Sequence, residues 1–460
     1  MKIQSQTGDC DIRYLARISS VSLSVVLPWL MVGCGAILWL IWPVIHTIAF
    51  RNVLLFTGGL MGLWYLVQER RDLYQVQALP LLFVILLFIW VGIHHLFFTH
   101  NPNLEFEQIK GTWLRTLLAC LLGVGIGLHS RHHLHAQHIV WVGIFFFPIL
   151  FYINYIWISL TIDSWRIPYP YELGFYANKI SIVFYGIILY ALGCSLISYI
   201  FIGRHNHYRP YLLGSAFFMV STFIAFIFVG TKSGVAQALI LTFGLFVIFL
   251  FKVKKSVKNV LIMSLCIGIV CVMTYLHLKI SPEWNNFIPT VSAGFQIDKY
   301  PNWRDEDAYG LPKLSDGTAV PESAYVRTAF ATEGVRLLYE NPMGYGLVDE
   351  SFKYLTREDL PDSSSLSLTS TLSGWLDFSL GFGIPGLFLT WTAIVLAITF
   401  SYHQTSLWSH CTRWILVATF LSWLFAELSG KHFIETLFYL ISLFSAGNIP
   451  ITKDKRLGSS

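Results

Sequence analysis

Charge is what this 460-residue sequence has least of. Asp, Glu, Lys and Arg together make up 12%, about half of what an ordinary soluble domain carries. So little charge excludes the two or three soluble domains that the length alone would allow. Cysteine is absent where an external loop would need it. Cys10, Cys34, Cys120, Cys194, Cys266, Cys271 and Cys411 leave the stretch from Lys279 to Leu372 without one, which rules out a disulfide framework there. Histidine is missing from the same region, with none between His277 and His403. No internal repeat is visible, and nothing is low-complexity beyond Ser363–Ser373. Met1 to Ser20 is polar and the apolar run behind it is too long for a signal-peptide core, so no cleaved leader is expected.

What is present is apolar: 55% of the residues are hydrophobic and the mean hydropathy is +0.60. A membrane span takes about 20 apolar residues, and the sequence offers about twelve such runs. They fall near 23–46, 52–67, 78–97, 112–128, 139–160, 180–202, 211–229, 235–251, 259–278, 376–398, 414–428 and 433–449. The expected fold is an all-α polytopic membrane protein with one long helical loop. Spans one to nine occupy residues 1–278, a loop domain follows at 279–372, three more spans at 373–450 and a tail at 451–460.

Lys and Arg orient the chain. With the N-terminus inside, sixteen fall in cytoplasmic segments, led by the cluster Lys252, Lys254, Lys255 and Lys258. Seven fall in the short external loops: Arg51, Lys110, Arg115, Arg166, Lys179, Lys232 and Lys431. Both termini are then cytoplasmic and the long loop is external. The net charge of +5 reflects this bias; with no basic-aromatic platform, membrane lipids and not nucleic acid are the expected partners. No span shows an acid–base relay, which argues against an ion or polysaccharide transporter.

Three polar patches share the outer face. The first is Asp163-Ser-Trp165-Arg166-Ile-Pro168-Tyr-Pro170-Tyr-Glu172, where Arg166 is either an anion contact or an interfacial anchor. The second is Gly230-Thr-Lys232-Ser-Gly234, where glycine on both sides lets backbone N–H groups approach an anion at a helix start. There Lys232 reads as either a ligand or a snorkelling lysine. The third is the long loop, with Trp303 and Arg304 and then a helix carrying Arg327. Trp303 either stacks on a sugar or seals the loop. Arg327 offers the planar fork that a diphosphate needs, or else pairs with Glu333 within its helix.

The run Tyr325-Val-Arg327…Leu338-Tyr-Glu-Asn341-Pro342-Met-Gly344-Tyr-Gly346 is followed by Ser373-Gly374-Trp375-Leu376-Asp377…Gly383-Ile-Pro-Gly386. This order resembles the bacterial O-antigen ligase superfamily, which includes O-antigen polymerases and pilin O-oligosaccharyltransferases. The resemblance covers the topology of the whole chain, and its specific motifs occupy about 65 residues. It implies a glycosyltransferase of the inner membrane that uses neither metal nor cofactor. Such enzymes move a glycan from undecaprenyl diphosphate to lipid A-core, or to a pilin, on the periplasmic side. It further implies that Arg327 and the turn holding Lys232 bind the diphosphate.

Two positions depart from the family. Counting back from Gly383 and Gly386 puts Ser373 in register and Leu372 where the acceptor-activating histidine belongs. Lys232 stands where the family keeps an arginine, retaining a charge but not a bidentate fork. Asp377 and His432 are the candidate substitutes for the missing base. A non-catalytic homologue that binds the lipid-linked glycan is the alternative from another class.

Overall fold

Inside a bilayer every backbone N–H and C=O must be paired within the chain, which leaves helices or closed barrels. The computed structural model describes residues 23–161, 179–202, 210–252, 286–304, 309–314, 317–359, 370–426 and 430–451, with scattered positions between 261 and 279. Among the described residues there are helices and no strands, apart from one isolated bridge between Lys313 and Ala319.

The helices are α1 (Leu23–Ile41), α2 (Ile48–Gln68), α3 (Leu79–Phe97), α4 (Pro102–Ser130), α5 (Leu134–Thr161), α6 (Lys179–Ile202), α7 (Pro210–Phe228) and α8 (Lys232–Lys252). The long loop then contributes α9 (Phe287–Phe295), α10 (Glu322–Glu340) and α11 (Ser351–Asp359). The chain ends with α12 (Gly374–Ser401), α13 (Leu407–Phe425) and α14 (Lys431–Gly447).

The chain is a multi-pass membrane protein. Eight helical stretches among the described residues are long and apolar enough to cross a bilayer: α2 to α8 and α12. Against the twelve spans expected, α1 and α14 are apolar but shorter. The expected eleventh span begins earlier, as α13, and takes in Ser409, His410 and Arg413. The ninth, 259–278, lies largely outside the described residues. The fourth is longer than its apolar run: Pro102–Gln108 continues through a π turn at Ile109–Trp113 into Leu114–Ser130, with Asn101 Oδ1 capping the Leu104 N–H at 3.2 Å.

Five helices run parallel, which fixes where the site lies. α4 and α14 keep register from Arg115–Glu435 through Cys120–Phe438, and Gly127 still abuts Leu443. α2 keeps the same sense against α4, from Gly58 on Leu122 to Tyr65 on His129. Tyr185 of α6 bonds Thr436 of α14 at 3.1 Å, and Tyr190 bonds Thr242 of α8 at 2.6 Å. Tyr185–Thr436 and Tyr190–Thr242 each sit at nearly the same depth from their helix starts, and α2 and α14 match α4 when it is counted from Leu114, after its Pro102–Trp113 extension. The N-terminal ends of α2, α4, α6, α8 and α14 therefore lie at one end of the bundle.

The long loop caps that end with a core of its own. Trp303, Tyr325, Phe330, Leu337, Tyr345 and Phe352 are buried together, and Leu380 of α12 joins them. Tyr325 is fully buried; its hydroxyl donates to the Tyr300 carbonyl at 2.6 Å and accepts from the Trp303 N–H at 3.2 Å. Burial pushes this phenol's pKa up to about 12.

Candidate functional site

The two glycine motifs interlock. α12 breaks at Phe382 and Gly383, the latter at φ +70, so carbonyls that a straight helix would use internally are turned outward. Tyr345 N–H donates to Leu380 O at 2.8 Å and Gly346 N–H to Gly381 O at 2.7 Å. In return Ile384 N–H donates to Pro342 O at 2.9 Å. Gly344 and Gly346 hold φ of +90 and +109. A Cβ on Gly344 would stand 2.5 Å from Gly381 O, and one on Gly383 would stand 2.4 Å from Met343 O. The Asn-Pro-x-Gly-x-Gly stretch is thus a clasp that seats the loop against the break in α12.

Around the clasp the aromatic packing is tight. Tyr345 is stacked between His100, at 4.9 Å, and Tyr354, at 5.3 Å. Burial, with lesser contributions from Glu358 and Tyr354, pushes its phenol up to about 12.

Arg327 lies partway along α10, and its Nη1 donates to the Phe425 carbonyl at 3.4 Å, at the C-terminal end of α13. Three residues before Phe425, Ser422 donates to Gln237 of α8 at 2.6 Å. Gln237 is less than two turns from Lys232, so the end of α13 brings Arg327 beside the start of α8. Lys179, the first residue of α6, and Arg327 are charged neighbours that act on Lys232. Three cations and the N-terminal ends of two long helices therefore converge. Within α10, Arg336 bonds Glu333 at 2.6 Å.

Ser373 and Asp377 border this group. Ser373 Oγ donates to Leu424 O at 3.1 Å and Gly374 N–H to Ala426 O at 2.8 Å, so the head of α12 and the tail of α13 are tied. Asp377 is buried, and its Oδ1 accepts from the Thr371 N–H at 2.6 Å and the Thr371 hydroxyl at 2.7 Å. Its carboxylate holds the strand of loop that carries Leu372. Leu372 itself sits at φ +60 and packs against the loop core.

Of the remaining candidates, Trp303 is 3% exposed, packed edge-on to Phe330 at 6.3 Å. Arg304 lies over its ring at 5.4 Å. His432 is the second residue of α14, its ring tilted at 40° against Phe433 with centroids 4.0 Å apart. Arg166 falls outside the described residues.

Buried charge pairs that carry no motif escape a reading of the sequence, two of them on helices at this end of the bundle. His94 Nδ1 is 2.8 Å from Glu105 Oε1, at 0% and 1% exposure, and His94 Nε2 is 3.4 Å from the Gly344 carbonyl. Arg115 Nε donates to Glu435 Oε1 at 2.6 Å. This second pair joins α4 to α14 inside the bundle. Arg51 and Arg115, expected in external loops, likewise lie within α2 and α4.

A family model described as O-antigen ligase matches residues 217–391, from α7 through the long loop into α12. The chain carries an O-antigen ligase domain. That match supports placement in the O-antigen ligase superfamily and implies a glycosyltransferase type of activity. The O-antigen ligase domain contains Lys232, Trp303, Arg304, Arg327, Ser373 and Asp377, and both halves of the glycine clasp; Arg166, Lys179 and His432 lie beyond it. No curated protein matches the chain.

Proposed function

We propose that the chain transfers a glycan from undecaprenyl diphosphate to lipid A-core at the periplasmic face of a bacterial inner membrane. The observation that carries this reading is the convergence of Lys179, Lys232 and Arg327 on one end of the bundle, Lys232 and Arg327 lying within the stretch that matches the O-antigen ligase model. A diphosphate leaves with negative charge, and preorganised cations in a site of low dielectric stabilise that charge as it develops. In the reaction the acceptor hydroxyl oxygen bonds the anomeric carbon while the bond from that carbon to the diphosphate breaks. The electron pair departs with the carrier, and the hydroxyl proton must go to a base.

At that last step the site is weakest. Leu372 takes no proton, and Asp377 is already engaged by Thr371. General-base help is worth about 10²–10⁴-fold, so turnover by the natural chain is expected to be slow. These facts favour a second reading, a homologue that binds the lipid-linked glycan without transferring it. The test is transfer from purified lipid-linked donor to lipid A-core, and separately to pilin. Turnover that Arg327→Ala removes supports the transferase. Donor binding without turnover on either acceptor supports the binder.

A further inference from the structure

A second group of ionisable side chains gathers where α2 and α14 begin and where α4 enters its Leu114–Ser130 stretch. Arg115 bonds Glu435, with side-chain exposures of 23% and 5%. A buried pair of this kind settles its own charge, but a second arginine is present. Arg51 is near enough to act on both Glu435 and His432. Its Nη1 donates to the Trp42 carbonyl at 3.3 Å, and among the described residues it forms no ion pair. His432 Nε2 is buried with no hydrogen-bond partner among the described residues.

Among the described side chains, two arginines against one glutamate leave a net charge of +1 with the imidazole neutral. Arg51 sits in the first turn of α2 and His432 in the first turn of α14. Helix N-termini already carry positive potential, so cations there are disfavoured until an anion joins them. Uncompensated charge at membrane depth marks a functional site by default. Arginine forks match phosphate oxygens. Phe50, Val53 and Leu114, the neighbours of Arg51 and Arg115, are 52%, 57% and 52% exposed. This apolar rim opens toward lipid tails, so the phosphate would arrive on a lipid.

We propose that Arg51, Arg115 and His432 form a second anion site, separate from the Lys179–Lys232–Arg327 group, that holds a phosphate of a membrane lipid. On the transfer reading above, that lipid is the phosphorylated acceptor, and the bundle end seats donor and acceptor through two distinct cationic groups.

The test measures binding of three probes to the purified full chain: bis-phosphorylated lipid A, dephosphorylated lipid A and inorganic phosphate. Undecaprenyl diphosphate is measured alongside. The expected result is that removing the phosphates weakens lipid A binding by about tenfold or more, as loss of charge-assisted hydrogen bonds does, and that inorganic phosphate binds weakest. Arg51→Gln should weaken lipid A by a similar factor and leave undecaprenyl diphosphate unchanged, with Arg327→Ala doing the reverse. Should Arg51→Gln fail to fold, the paired variant Arg115→Gln/Glu435→Gln removes the cation without stranding the carboxylate. Equal binding of both lipid A forms, or lipid A binding unaffected by these variants, overturns the proposal. So does parallel weakening of both ligands by Arg51→Gln, which would mean one shared site. Absence of undecaprenyl diphosphate binding with lipid A binding intact would sink the transferase reading and leave this one standing.

Discussion

Replacing Gly344 with alanine should spring the clasp. Its φ of +90 is open to glycine and strained for any residue with a Cβ, at about 1–2 kcal/mol. The added methyl would also stand 2.5 Å from Gly381 O and 2.6 Å from Gly383 N. Both are backbone atoms, so the neighbour cannot swing aside. Relief requires the turn to lift, which breaks the bonds from Tyr345 N–H to Leu380 O and from Gly346 N–H to Gly381 O, each worth about 0.5–1.5 kcal/mol. The sum is about 2–5 kcal/mol, enough to raise the open fraction of the loop roughly 30-fold at the low end. Limited proteolysis of the loop in detergent, with thermal unfolding alongside, reads this directly. Gly92→Ala is the control: it lies on α3 with nothing within 4 Å of its added methyl, and alanine is the better helix former there. Proteolysis of Gly344→Ala at the Gly92→Ala rate would refute the clasp.

Three further outcomes are expected. Leu372→His should be neutral or stabilising in thermal melts, because histidine tolerates the φ of +60 better than leucine does; in the transfer assay it should raise turnover by about 10²-fold or more, and unchanged turnover would mean that a base at this position is not what limits the reaction. Tyr325→Phe should lose about 1–2 kcal/mol at neutral pH through its two broken hydrogen bonds. The wild-type phenol titrates near 12 when folded and at 10.0 ordinarily, so the stability it confers is complete below pH 10 and is lost as pH climbs toward 12; the variant should lack that alkaline decline, and an identical decline in both would count against the burial argument. Arg336→Ala should destabilise the loop, because Glu333 is fully buried against it. Arg327→Ala should leave melting nearly unchanged and cost transfer; equal effects on both readouts would make Arg327 structural.

The sequence announces its helices wherever apolar runs are long, and α3, α5, α6, α7, α8 and α12 lie close to where hydropathy puts them. At the ends of the chain hydropathy is less decisive, because α1 and α14 are apolar but shorter and α13 takes in polar residues. The glycine motifs are legible as motifs, but not that they clasp each other, since that depends on the break at Gly383. Arg51, Arg115 and Glu435 are further apart in sequence than any periodicity reaches. The first two read as loop charges, because charge normally ends a span. His94 and Glu105 escaped for a related reason. They face each other across the turn between α3 and α4, and neither belongs to a motif.

The most direct measurement of the central claim is binding of undecaprenyl diphosphate to purified wild type, Lys232→Ala, Arg327→Ala and the double variant at fixed salt. Each single change removes a cation from one site, so each should weaken binding by about tenfold or more. The two losses should not add fully if the neighbouring Lys232 and Arg327 hold the same anion. Wild-type affinity retained by the double variant would contradict the account, because the diphosphate would then bind elsewhere.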